Sequence, residues 1–249
     1  MADFAHLLLP RRRSRGSSAR GRLAINLGAE HKNLDQKAYQ IIKAMIIDRQ
    51  LLPGDKIPQE KLAEELGISR TPLVNALKFL EKEKLVQSFP RRGFFVRLFD
   101  RREMISIFEL REVLEGLAAR RAAQHISEKE IVELKGFFRQ FPGGGEIADI
   151  RAYAREDRRF HGFLLDIGAK EFLKSILEAY NIMSFSYQSV SSEGLVRPPA
   201  ETIQEHRAII DAVCRRDAES AEKWMRQHLS NSAAVLRRDV EAEGSTPLP

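Results

Sequence analysis

Asp157 and His161 stand four residues apart, a spacing that puts both side chains on one face of a helix. His206 and His228 fall in two later helical stretches, so three of the six histidines come from separate helices of one bundle. A carboxylate with three imidazoles suits a borderline divalent ion, Zn²⁺ first, with Ni²⁺ or Mn²⁺ also served. The spacing alone is a weak signal, because a solvated Asp beside a core or surface His is its commoner cause. His125 closes a helix, where an imidazole serves the C-terminal dipole. Hydrolytic and nucleophilic chemistry lacks its usual patterns: there is no His-Glu-x-x-His, no Gly-x-Ser-x-Gly, no phosphate-cradling glycine loop. The single cysteine, Cys214, faces apolar neighbours and has no paired histidine. A hydrolase or lyase built on the metal set would need a general base beyond the ligands, and only Glu156, Glu205 and Tyr153 stand near by sequence. Trp224 and Met225 read as packing residues.

A second set of residues suits a polyanion. Residues 1–30 hold six Arg against two acids, residues 31–99 hold thirteen Lys and Arg against eight, and residues 100–249 hold 22 against 25. The net charge of +6 is therefore a +9 front joined to a −3 remainder. Within the front, Ser69-Arg70-Thr71-Pro72 opens a helix, with Ser69 or Thr71 as N-cap and Pro72 in the first turn. Leu73, Ala76, Leu77 and Leu80 make its apolar face, which leaves Val74, Asn75, Lys78 and Lys82 on the others. Pro90-Arg91-Arg92-Gly93 lies between β-type stretches at 85–89 and 94–98. That is a hairpin with a basic tip, and Gly93 lets its backbone come close to a groove wall or phosphate.

These residues need elements to hold them. Leu34, Ala38, Ile41, Ile42, Met45 and Ile46 recur at helical spacing until Leu52-Pro53-Gly54-Asp55, a turn signal. A short helix over 59–66 follows, with Gly67 as its C′ glycine. With the next helix and the hairpin, residues 33–99 make a winged helix-turn-helix. Its second paired helix can enter a major groove about 12 Å wide, while helix N-terminus and wing hold phosphates. A three-helix core of this kind also serves as a structural or protein-interaction module. Residues 100–238 read as helices at 104–123, 127–141, 146–167, 170–190, 200–215 and 217–238, the second opened by the capping box Ser127-x-x-Glu130. Gly143-Gly144-Gly145 and 191–199 are the loops. The fold class is mainly α: an N-terminal winged helix-turn-helix and a C-terminal all-α six-helix bundle. Residues 1–32, rich in Arg, Ser and Gly, read either as a flexible basic arm or as an untidy start to the chain, and 239–249 as a disordered tail.

Composition removes other classes. At about 150 residues per domain, 249 residues make one to two domains, and 43% apolar content argues against disorder of the whole chain. No apolar run reaches about 18 residues, so no membrane span is expected. Leu7-Leu8-Leu9 is followed, not preceded, by its Arg cluster, the wrong order for a secretory signal. One cysteine suits a reducing, cytoplasmic setting.

LLPGDKIPQEKLAEELGISRTPLVNALKFLEKEKLV, followed by PRRGFFV, resembles the winged-helix domain of GntR-family transcriptional regulators. ELREVLEGLAARRAA, DRRFHGFLL, EHRAIIDAV and DAESAEKWMRQHL resemble the FCD effector domain of the FadR subfamily, and six helices match its VanR-like branch. The likeness runs from about 34 to 236. It implies a homodimeric regulator, repressor or activator, on double-stranded DNA at a short pseudo-palindromic operator, with a small carboxylate effector releasing or tightening its grip. It also implies a divalent metal on Asp157, His161, His206 and His228, which the effector carboxylate contacts. Arg111 matches an often basic position that could clamp that carboxylate, or it is an exposed helix arginine. DNA contacts would come from Ser69, Arg70, Thr71, Asn75 and Lys78, with Arg91, Arg92 and Gly93 at the wing tip.

The chain departs from the family where operator and effector are read. Glu60 and Val74 stand where Arg is common, Asn75 where Glu is common, and Ile167-Gly168-Ala169 where Ser-Gly-Asn is frequent. An Arg–guanine pair contributes about 1–3 kcal/mol of discrimination, so the family's usual operator does not carry over. Two rival readings stand beside the regulator. One is a metal-dependent hydrolase or lyase with an appended winged helix; the other is a winged-helix protein-interaction module with a structural zinc.

Overall fold

The structure, a computed structural model, describes residues 33–141, 147–170, 172–179 and 195–244. The expected arm at 1–32, the triple-glycine linker, the second half of the helix expected at 170–190 and residues 191–194 of the 191–199 loop lie outside the described residues. The chain divides into two compact units, Met1–Val96 and Arg97–Pro249.

The first unit contains α1 (Leu34–Ile47), α2 (Gln59–Leu66), α3 (Arg70–Lys82), β1 (Val86–Phe89) and β2 (Gly93–Val96). α1 buries Ala38, Ile42, Met45 and Ile46 against the Leu73, Ala76, Leu77 and Leu80 stripe of α3. A polar tie crosses the same pair. Tyr39 Oη donates to Glu83 Oε1 at 2.6 Å and Lys43 Nζ to Glu83 Oε2 at 2.9 Å. Gly67 ends α2 in the left-handed region (φ 63°), the conformation a C′ glycine takes at least cost. The wing strands pair antiparallel from Val86↔Val96 to Phe89↔Gly93. The sequence reading missed a third edge. Ile57 N–H donates to the Phe94 carbonyl at 2.8 Å and Val96 N–H to the Asp55 carbonyl at 2.9 Å, so the stretch after the 52–55 turn pairs with β2.

Six helices are described in the second unit: α4 (Arg101–His125), α5 (Glu128–Leu134), α6 (Ile150–Gly168), α7 (Phe172–Ala179), α8 (Pro199–Cys214) and α9 (Ala218–Gly244). Ser127 and Glu130 form the expected capping box, and a second one, Asp100 with Glu103, starts α4 three residues earlier than periodicity suggested. α6 starts at Ile150, four residues late, because the Asp149 side chain accepts the Ala152 N–H at 2.8 Å and caps it there. α9 runs on to Gly244, so residues 239–244 are helical where a disordered tail was expected. Arg101 at the start of α4 holds that end, pairing with Asp239 (3.7 Å) and Glu243.

α4 is the central helix, packed against α6, α8 and α9. It meets the end of α6 backbone to backbone. A Cβ added to Gly168 would stand 1.9 Å from the Ala118 carbonyl oxygen, so the two backbones meet where a side chain would be. Phe137, Phe138, Tyr153 and Phe160 fill the core beside it. No helix among the described residues is long and apolar enough to cross a membrane.

Candidate functional site

α6 carries Asp157 and His161 one turn apart on its buried face, α8 brings His206 and α9 brings His228. A nitrogen from each of the three imidazoles lies within 4.8 Å of the other two, a set that could hold a metal ion. Asp157 Oδ1 stands 3.2 Å from His206 Nε2. The four residues picked out by spacing thus converge from three helices on one buried point.

Each imidazole is held from outside through Nδ1. His161 Nδ1 meets Glu115 Oε2 at 2.6 Å, His228 Nδ1 meets Glu205 Oε2 at 2.7 Å, and His206 Nδ1 meets Tyr153 Oη at 2.9 Å. A carboxylate only accepts, so His161 and His228 each carry a proton on Nδ1 and leave Nε2 as the ring nitrogen free to turn toward the other imidazoles. His206 Nε2 is buried without a hydrogen-bond partner; it is near Asp157 but out of line with it. Burial holds the His206 imidazole well below its ordinary pKa, reinforced by charge on His228 and His161, and burial likewise lowers His228 against the pull of Glu205. Neutral imidazoles are the form that ligates a metal. Burial pushes the Glu115 carboxyl up, but Arg111 and His161 beside it outweigh that and hold it near 2. Glu205 is raised by burial and brought down to about 2 by hydrogen bonds from His228 and Arg197. Three carboxylates (Glu115, Asp157, Glu205) and two guanidiniums (Arg111, Arg197) stand around the imidazoles. Among them His206 Nε2 is a buried nitrogen with no hydrogen-bond partner. This donor set fits a divalent cation.

Beside it lies a cavity of about 30 Å³ lined by Phe108, Arg111, Asp157, His161, Arg197 and His228, among others. Arg111 is not an exposed helix residue. It is 2% exposed, pairs with Glu115 through Nε and lies 5.1 Å over the Phe108 ring. Arg197 went unnoticed in the sequence, as no local pattern marks it. It donates to Glu205 Oε1 at 3.0 Å, Ser232 Oγ at 3.2 Å and the His228 carbonyl at 3.2 Å. Glu115 was also missed, although its i,i+4 spacing from Arg111 was legible. Glu205 and Tyr153, weighed as bases for a hydrolase, hold the His228 and His206 imidazoles instead. Glu156 accepts the Phe138 N–H (3.2 Å) and pairs with Arg159 (2.8 Å). Met225 is buried as expected, whereas Trp224 is 40% exposed.

In the first unit, Ser69 is the N-cap of α3, yet its exposed side chain makes no capping hydrogen bond. Thr71, Asn75 and Lys78 are exposed along α3, away from its buried stripe. Arg70, Val74, Arg91, Arg92 and Gly93 line a groove of about 770 Å³ together with Gln59, Glu60 and Lys61; Thr71, Asn75 and Lys78 are not part of its lining. The Arg92 guanidinium lies over the Phe89 and Phe95 rings, 5.6 and 5.4 Å from their centroids. Gly93 has φ 94°, and a Cβ there would stand 3.0 Å from Gln59 Nε2, so the turn itself demands glycine.

Comparison with known proteins agrees with this division. The model for bacterial regulatory proteins of the gntR family matches residues 34–96, and the FCD domain model matches residues 106–231. The chain is 28% identical over 208 residues to the HTH-type transcriptional regulator YdhC of Bacillus subtilis (strain 168), covering 82% of this chain and 91% of that one. It is 26% identical over 212 residues to the HTH-type transcriptional repressor RspR of Escherichia coli (strain K12), covering 82% and 90%. A solved structure of a GntR transcriptional regulator from Rhodococcus sp. RHA1 shares the fold with a TM-score of 0.68 at 17% identity, covering 86% of this chain and 99% of that one. These families and relatives are transcriptional regulators rather than enzymes. The chain therefore belongs to the gntR family of bacterial regulatory proteins, a transcriptional regulator that joins a DNA-binding winged helix to an FCD effector-binding domain.

Proposed function

We propose that the protein is a repressor that binds a short pseudo-palindromic operator as a homodimer and senses a small carboxylate through a divalent ion held in its FCD domain. The observation that carries the sensing half is His206 Nε2, buried and without a hydrogen-bond partner among Asp157, His161 and His228. Those four residues would hold the ion, Zn²⁺ first by their N/O donor set, with Ni²⁺ or Mn²⁺ as alternatives. A divalent ion there would supply positive charge that an effector carboxylate can meet. Arg111, in the cavity wall, is the partner proposed for that carboxylate.

A cavity of about 30 Å³ has room for a water or an ion, not a metabolite. An effector that widens this cavity would bind the two states of the bundle with different affinity. That difference is the only means by which it can alter DNA binding. On the DNA side, Arg70 and Thr71 at the start of α3, Asn75 and Lys78 along it, and the Arg91-Arg92 wing supply base and phosphate contacts, with the Ser69 hydroxyl toward a phosphate. The repressor named among the relatives supports repression. With DNA as partner, the proposed place of action is the cytoplasm.

The test is anisotropy of labelled operator, selected from a random pool, with Zn²⁺-loaded protein and panels of sugar acids, hydroxy acids and dicarboxylates. One class should shift affinity by about 5–150-fold, the usual range of allosteric coupling. Absence of retained DNA at moderate salt would return the winged helix to a protein-interaction role. Retention with no response to any carboxylate would refute the sensing half.

A further inference from the structure

Two of the three imidazoles have their tautomer imposed by a carboxylate, but His206 does not. Its outer partner is the Tyr153 hydroxyl, which can give or take a proton. Tyr153 Oη lies 2.9 Å from His206 Nδ1 and 2.8 Å from Thr202 Oγ1, and Thr202 Oγ1 lies 3.3 Å from the Pro199 carbonyl oxygen. All of these groups are buried. The Pro199 carbonyl can only accept, so the series carries one proton per contact in only one direction. Thr202 donates to Pro199, Tyr153 donates to Thr202, and His206 donates through Nδ1–H to Tyr153. The reverse direction strands the Pro199 carbonyl contact and puts a proton on Nε2. That proton would point at Asp157 Oδ1, which is 3.2 Å away but out of line for a hydrogen bond.

We infer that Tyr153 and Thr202 are positioning residues that hold His206 in its Nδ1–H tautomer, so that its Nε2 lone pair faces the site before any ion arrives. The inference rests on the reading of Asp157, His161, His206 and His228 as an ion site. It adds a neutral hydroxyl relay as the device that makes the third imidazole a ligand. The relay ends in the first turn of α8, four to seven residues ahead of His206, so the same helix supplies both the ligand and the end of its support. Outer partners of metal-bound imidazoles commonly change metal affinity by about 10–100-fold.

The experiment uses the full-length, metal-free protein labelled with ¹⁵N, and reads the histidine tautomers from two-bond ¹H–¹⁵N correlations. Wild type should show His206 as Nδ1–H. Tyr153→Phe keeps the ring packed against Phe138 and Phe141, whose centroids lie 5.3 and 5.1 Å away, and removes only the hydroxyl. It should melt like wild type, move His206 toward Nε2–H, and lower Zn²⁺ affinity by about 10–100-fold in calorimetry. Thr202→Val should act in the same direction and Thr202→Ser should restore both readouts. An Nε2–H His206 in the wild-type spectrum overturns the inference, as does a Tyr153→Phe protein with unchanged tautomer and Zn²⁺ affinity within twofold of wild type. Wild type that shows the Nδ1–H tautomer but takes up no divalent ion overturns the metal reading instead.

Discussion

Two glycines six residues apart on α6 should respond in opposite directions to the same substitution. At Gly162 an added Cβ meets nothing within 4 Å, while at Gly168 it would stand 1.9 Å from the Ala118 carbonyl oxygen and 2.7 Å from the carbonyl carbon. A backbone carbonyl cannot rotate aside, so Gly168→Ala must push α4 and α6 apart by about 1 Å. Overpacking of this kind costs about 1–3 kcal/mol. Gly162→Ala meets no such obstacle and gains about 0.5–1 kcal/mol of helix propensity. The single tryptophan, Trp224, lies on α9, so its fluorescence follows unfolding of the effector domain without interference from the winged helix. At about 2–4 °C per kcal/mol for a domain of this size, Gly168→Ala should lower the Trp224-monitored midpoint by several degrees and Gly162→Ala should raise it slightly. The α4–α6 crossing also sets the 2.6 Å Glu115–His161 contact, so Gly168→Ala should weaken metal uptake as well. A Gly168→Ala protein as stable as the Gly162→Ala protein would refute the packing described for this crossing.

Three further outcomes follow from the geometry. Arg92→Ala should weaken operator binding about equally across sequences and reduce the slope of log affinity against log salt by about 1, whereas Arg70→Ala should erase sequence preference; anisotropy across a salt series separates the two. Burial, then the hydrogen bond to Glu83 and its charge, raise the Tyr39 pKa above the ordinary tyrosine value of about 10. A raised folded-state pKa means stabilisation present below that value and lost as pH climbs past it. Circular dichroism melts should therefore show wild type losing more stability than Tyr39→Phe between pH 9 and 11. Arg197→Met removes the charged donors to Glu205 and should cost about 1–3 kcal/mol in the Trp224 melt.

What the sequence disclosed was mostly local. The Asp157–His161 spacing, the Ser127–Glu130 capping box and the apolar stripe of α3 each lie within a turn or two of helix, where periodicity dictates which side chains share a face. What it concealed depends on distant elements meeting. Glu115 reaches His161 across 46 positions and Tyr153 reaches His206 across 53, and nothing near any of them signals the pairing. Arg111 shows the same divide: its place on an amphipathic helix was plain, but its burial in a cavity wall shared with His161 and His228 was not. Gly168 is the one position of Ile167-Gly168-Ala169 that keeps the family's glycine, and the physical reason for a glycine there is the Ala118 carbonyl. The tail at 239–244 was misjudged because the charges that hold it, on Arg101, lie at the far end of the domain's sequence.

The most direct test of the account is the metal content of chelator-stripped protein after re-equilibration with Zn²⁺ and desalting, measured by elemental analysis for wild type and for His206→Ala. Convergence of Asp157, His161, His206 and His228 on one point predicts one ion per chain for wild type and a loss of that ion in the variant, with DNA binding by the winged helix retained. No retained zinc in wild type, or equal zinc in both proteins, would contradict it.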